Sequence, residues 1–196
     1  MEVYKVEEKE HYIQGLFSGI NDINDPDIRK KVIDLWWGTW KESDFERIED
    51  LSQWQSAKEK LDISNVEHTN QVVACALAMA SAVERIQGVK VDRDTLIAGA
   101  ILHDIDKLLI FHPSSGETTQ MGMNLAHTTI GAHLALKAEL PLEIVHVIAA
   151  HSSNYSSTSP KSVEAVIVYH ADHVVTETWA ITKNIDISFS MKDGSR

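Results

Sequence analysis

Apolar positions recur along most of this chain at spacings of three and four residues, the period of helices that bury one face. Asp25-Pro26 places a capping side chain before a proline at the first helical position, and Ile28, Val32, Leu35 and Trp36 follow on one stripe. Ser43 and Glu46 have capping-box spacing, and Phe45, Ile48 and Leu51 predict a helix behind them. Ser64 and Glu67 repeat the signal before Val72, Val73, Leu77, Ala80, Val83 and Ile86, and Gly88 supplies a stop. Asp92 caps the run Leu96, Ile97, Ala100, Ile101. Asn124, Pro141 and Ser159-Pro160 are expected to open three more helices, the last reaching about Thr182. The tail pair Asp193-Gly194 joins no alternating runs, and Val163–Val168 reads as helix behind its cap. The predicted fold class is all-α.

Two polar stretches, 112–124 and 152–160, are rich in Ser, Thr, Gly and Pro and read as loops. The first is long for a helix connection, and long loops in compact domains are often functional. A composition change near 58–64 suggests three parts: an acidic, Trp-rich N-terminal helical extension over 1–63, a helical core over 64–182, and a tail over 183–196. The 196 residues suffice for one core without a disulfide, and Cys75 is the single cysteine, which removes both a disulfide and a Cys-based zinc module. Acidic residues outnumber Lys plus Arg by 29 to 18, a formal charge of −11. Residues 1–67 alone hold 16 acidic and 9 basic side chains, with no basic run, so a nucleic-acid polymer is not an expected partner. The charged N-terminus has no leader-like apolar stretch and no window is long enough to span a bilayer, so the expectation is a cytoplasmic protein.

Histidine changes the picture: eight of the ten lie between positions 103 and 173. His103 and Asp104 end an apolar run as adjacent metal-capable side chains. They point about 100° apart on a regular helix and can share one cation only if the helix loosens there. His68, His127 and His151 sit at the ends of other predicted helices. Asp172 lies deep in an apolar helix, where a carboxylate is costly unless paired or metal-bound. Imidazole with carboxylate suits Mn, Fe, Co, Ni or Zn.

In order these residues read H…HD…H…H…D, and the sequence resembles the HD-domain superfamily of metal-dependent phosphohydrolases over roughly 64–180. The resemblance implies an HD-type helical bundle and a metal set of His68, His103, Asp104, His127, His151 and Asp172, holding one or two divalent ions per chain. It also implies catalytic roles for Asp104 and for Lys107, the latter contacting phosphate. Asp106 departs from the pattern, since many relatives carry Gly there; the extra carboxylate either binds a metal-held water or caps the turn. The GYP signature of cyclic-dinucleotide phosphodiesterases is missing. Two bridged ions would leave the site about +2 and attract a small anionic substrate, with a metal-activated water as nucleophile; with one ion the site is near neutral and anion attraction falls to Lys107. Ser114, Ser115 and Thr118 are candidate phosphate donors.

The leading expectation is hydrolysis of a small phosphate ester or nucleotide. One rival is a diiron oxygenase of the same ligand set. Such relatives use a Tyr and a Glu shortly before the first ligand; here Glu67 is the nearby candidate and Tyr is missing from 13–68. A second rival is a non-catalytic module that binds an anion or nucleotide. His133, His146, His170 and His173 are expected as hydrogen-bonded core histidines, His173 also as turned away from the site, His11 as solvated, and His112 as a loop residue with access to substrate. Trp36, Trp37, Trp40 and Trp54 are read as core or as an interface in a homo-oligomer rather than as a substrate pocket.

Overall fold

The computed structural model describes residues 6–55, 63–152, 156 and 158–185. They form α1 (Val6–Leu16), α2 (Pro26–Glu42), α3 (Asn65–Gln87), α4 (Arg93–Leu102), α5 (Lys107–Ile110), α6 (Gln120–Asn124), α7 (His127–Lys137), α8 (Leu142–Ala150) and α9 (Val163–Thr182), with 3-10 turns at Ser18–Asp22 and Ile48–Asp50. Among the described residues no strand occurs; two isolated bridges pair Ser52 with Ser64 and Phe111 with Thr118. The all-α expectation therefore holds. The 58–64 boundary falls largely, the centre of the 152–160 loop partly, and the tail beyond 185 wholly outside the described residues.

α4 is the axis of the bundle. Every residue from Thr95 to Leu102 is buried, as a helix apolar on all sides requires. It packs against α3, α8 and α9, and α2 and the first 3-10 turn close its remaining side. Trp36 of α2 is fully buried, lies 4.5 Å from the Phe17 ring, and donates from Nε1 to the Ile101 carbonyl at 3.3 Å. A carbonyl of the last turn of α4, which has no partner within its own helix, is satisfied that way. The N-terminal aromatic segment thus braces the helix that delivers His103 and Asp104.

The start signals were read correctly where a side chain caps its own helix. Asp25 accepts from the Asp27 and Ile28 amides, Ser64 from Glu67, and Asp92 from Asp94 and Thr95; Gly88 ends α3 at φ 69°. They failed where the polar residue served another structure. Ser43 ends α2, its hydroxyl bonded to the Trp40 carbonyl, so 43–51 forms only a short 3-10 turn, although Phe45, Ile48 and Leu51 are all buried as expected. Asn124 closes α6, which Thr119 caps, and α7 starts at His127. α9 starts three residues later than expected, with Ser162 as its cap. α1 carries no start signal that sequence reading found. No helix among the described residues is long and apolar enough to cross a membrane.

Packing around α4 is tight. A Cβ added at Gly99 would lie 2.5 Å from Cγ1 and 2.8 Å from Cβ of Val147 on α8. Gly99→Ala is therefore expected to destabilise the protein by about 1–3 kcal/mol through overpacking. Urea unfolding should show a lower midpoint while the native helical circular dichroism is kept.

Candidate metal centre

The site forms where α4 stops. His103 keeps helical dihedrals one residue past the helix, and the chain turns through Asp104–Asp106 before α5. That break lets two adjacent side chains point into one space. The His103 ring reaches back so that Nδ1 lies 2.7 Å from the Ala100 carbonyl, three residues earlier. His151 repeats the device at the end of α8, with Nδ1 2.7 Å from the Ile148 carbonyl. In each case Nδ1 donates to a helix-end carbonyl, which turns Nε2 toward the centre.

His68 enters from the start of α3. Antiparallel pairing of 51–53 with 63–65 fixes that start: the Gln53 amide donates to the Ile63 carbonyl at 3.0 Å and the Asn65 amide to the Leu51 carbonyl at 2.8 Å. His127 enters as the first residue of α7, and Asp172 from the middle of α9.

These elements gather the six expected residues into one cluster, in which Asp104 uses its two oxygens on two sides. On one side, Oδ2 lies 3.0 Å from His103 Nε2 and 3.8 Å from His68 Nε2. The same two nitrogens are 3.3 Å apart, and Asp172 Oδ1 is 3.1 Å from His68 Nε2 and 4.0 Å from His103 Nε2. On the other side, Oδ1 lies 3.8 Å from His127 Nδ1 and 3.7 Å from His151 Nε2. His68–His103–Asp104 and Asp104–His127–His151 each offer donor atoms within 4.8 Å of one another.

Sequence reading missed Gln53. It is buried and donates from Nε2 to Asp104 Oδ2 at 3.2 Å, and Asn65 Nδ2 holds its amide oxygen at 3.0 Å. A glutamine in a polar stretch carries no periodicity or motif that marks it. Lys107 Nζ sits 2.8 Å from Asp104 Oδ2 and 3.1 Å from the Gln53 carbonyl. Ser115 is occupied in its own turn, accepting from the Glu117 amide. His112 is exposed, its Nδ1 3.9 Å from Asp44. His133 and His170 are exposed rather than core residues, since both fall on the outer faces of α7 and α9. His146 accepts from the Lys161 amide at 2.9 Å, away from the centre, and His173 stacks on Tyr169. The tryptophans divide: Trp36 is core, whereas Trp37 and Trp40 are half-buried beneath the Lys41 ammonium.

The HD domain family matches residues 65–177, more than half of the chain and the span that carries all six of these side chains. The chain belongs to the HD domain family. It is also 40% identical over 109 residues to the dihydroneopterin 2',3'-cyclic phosphate phosphodiesterase of Methanocaldococcus jannaschii, an alignment that covers 55% of this chain and 44% of that protein. This chain thus spans less than half the length of the curated relative it matches. No solved structure shows significant similarity to it.

Divalent metals suit the HD centre on its donor chemistry. Two imidazole nitrogens 3.3 Å apart repel each other, whether both carry lone pairs or both carry protons, and a cation between them and the flanking carboxylates relieves that repulsion. Without metal, a proton fills the role. Burial lowers the His103 pKa, but the Asp104 and Asp172 carboxylates overcome it and push the group up to about 9. Burial wins at His68 and His151, which are held below their ordinary value. Burial disfavours charge on Asp104 and Asp172 as well, yet Lys107 and His103 keep Asp104 ionised and His68 and His103 do so for Asp172.

The pH dependence follows from these signs. His103, raised above its ordinary 6.5, adds stability that is complete below pH 6.5 and lost as pH rises through about 9. His68 and His151, lowered, stay neutral in the fold while the unfolded chain takes up protons, so their effect reduces stability below pH 6.5. In the presence of a chelator the cluster's contribution should peak near pH 6.5, visible as a maximum in urea midpoints between pH 5 and 9.5. His103→Gln should flatten the alkaline limb, and a wild-type midpoint unchanged from pH 6.5 to 9 would refute the assignment.

Proposed function

We propose that this chain is a metal-dependent phosphohydrolase of a small phosphate ester, with a cyclic phosphodiester as the first substrate class to test. The observation that carries the reading is the division of the Asp104 carboxylate between two donor triads. His68, His103, Asp104 and Asp172 would hold one divalent ion, and Asp104, His127 and His151 a second. Such ions supply an ionised water near neutral pH and offset charge on phosphoryl oxygens. A relative named for acting on a cyclic phosphate supports this substrate class.

The chain's own residues do the positioning. Asp104 orients both halves of the site, and its carboxylate is itself oriented by Gln53 Nε2 and Lys107 Nζ. Lys107 has three ammonium donors. Asp104 and the Gln53 carbonyl engage two of them, and the third remains for a substrate oxygen, at a side chain 12% exposed at the edge of the cluster. The segment 51–55 forms one wall, tied to the loop after α5 by a bond from Gln55 Nε2 to the Pro113 carbonyl at 3.1 Å. In this reading residues 64–182 carry the metal ligands and the 1–63 extension completes the wall beside Lys107.

Asp104→Ala should abolish Mn²⁺- or Co²⁺-dependent hydrolysis of 2',3'-cyclic nucleotides or bis-p-nitrophenyl phosphate while helical circular dichroism persists. Lys107→Met should lower kcat/KM about 10²-fold or more, the effect of losing one preorganised donor to the transition state. Unchanged turnover by the Asp104 variant, or substrate-dependent oxygen uptake by the iron-loaded wild type, would overturn the hydrolase reading.

A further inference from the structure

Asp106 is the second carboxylate of the HDID sequence, and the ligand set of the two-ion reading leaves it out. Its side chain is 0% exposed, and neither oxygen has a hydrogen-bond partner among the described residues. It does not cap α5, although it occupies the cap position. Removing a carboxylate from water without replacing its hydration is costly, so a buried one is normally paired or bound to a metal. Two surroundings bear on which applies here. Oδ1 faces His127 Nδ1 at 3.7 Å, and that nitrogen is 3.8 Å from Asp104 Oδ1. Gly131, one turn further along α7, faces the same carboxylate without a side chain; a Cβ there would lie 3.5 Å from Asp106 Oδ1.

A separation of 3.7 Å is too long for a hydrogen bond. It is short enough for one ion with ligand distances of about 2.0–2.2 Å to touch both atoms. Asp106 Oδ1 and Asp104 Oδ1 each lie within that reach of His127 Nδ1. We propose that Asp106 is a ligand of the ion on the His127–His151 side, making that half of the centre a two-histidine, two-carboxylate site. The proposal rests on the two-ion reading above. It makes the centre one charge less positive than Asp104 and Asp172 alone would, and it shifts the second position toward oxygen-preferring ions such as Mn²⁺.

The test is binding of Mn²⁺ alone to chelator-stripped full-length protein, followed by calorimetry and by electron paramagnetic resonance of free Mn²⁺. Wild type should take up two ions per chain. D106N should keep the first at wild-type affinity and bind the second at least about tenfold more weakly. D106G, which keeps the backbone free to adopt the same turn, should match it. Thermal melting separates a ligand from a packing residue. Removing the bare charge should raise the Tm of the metal-free protein and shrink the further rise caused by Mn²⁺, whereas a structural role would lower the metal-free Tm. Two ions bound by wild type and by both variants with equal affinity would overturn the Asp106 assignment alone. One ion bound by wild type and variants alike would overturn the two-ion reading and the assignment with it.

Discussion

A carboxylate almost without solvent sits at the centre of this molecule, and the rest of the fold is arranged to keep it charged. Asp104 faces two histidine pairs, a lysine and a glutamine amide, contributed by α3, α5, α7, α8, the turn after α4 and the N-terminal segment. An isolated carboxylate in such a place would protonate or force the structure open. Concentrated donors remove that option, and the same donors are of the kind that could hold cations.

The helices supply the precision this requires. α4 is buried on all sides and cannot rotate without disturbing α3, α8 and α9 together. His103 and His151 each end a helix, and each ring is anchored to the carbonyl three residues back. One bond thereby completes a helix terminus and fixes an imidazole, so positioning the ring and finishing the secondary structure are the same event. Trp36 on the Ile101 carbonyl extends the bracing to the N-terminal helices.

The N-terminal segment reaches the candidate centre although it carries no motif. Gln53 and the 51–55 wall come from outside the residues matched to the family, yet they touch Asp104 and Lys107. Metal ligands are shared by enzymes of many specificities, so residues of this kind are where a particular substrate would be chosen.

Caps and period-3.6 stripes are local, and they located α2, α3 and α4 because Asp25, Ser64 and Asp92 bond to amides two or three residues away. The order of His68, the HD doublet, His127, His151 and Asp172 was equally legible, because metal-capable residues stand out at the ends of apolar helices and, for Asp172, inside one. Ser43 misled because its hydroxyl bonds back to Trp40, and the exposed His133 and His170 because a residue type does not reveal which face of a helix turns outward. Tertiary structure alone decided that Asp104 divides its oxygens between two triads, that Gln53 reaches it, and that Asp106 is sealed in beside His127. Each of those facts joins segments far apart in the chain, and only packing sets such distances.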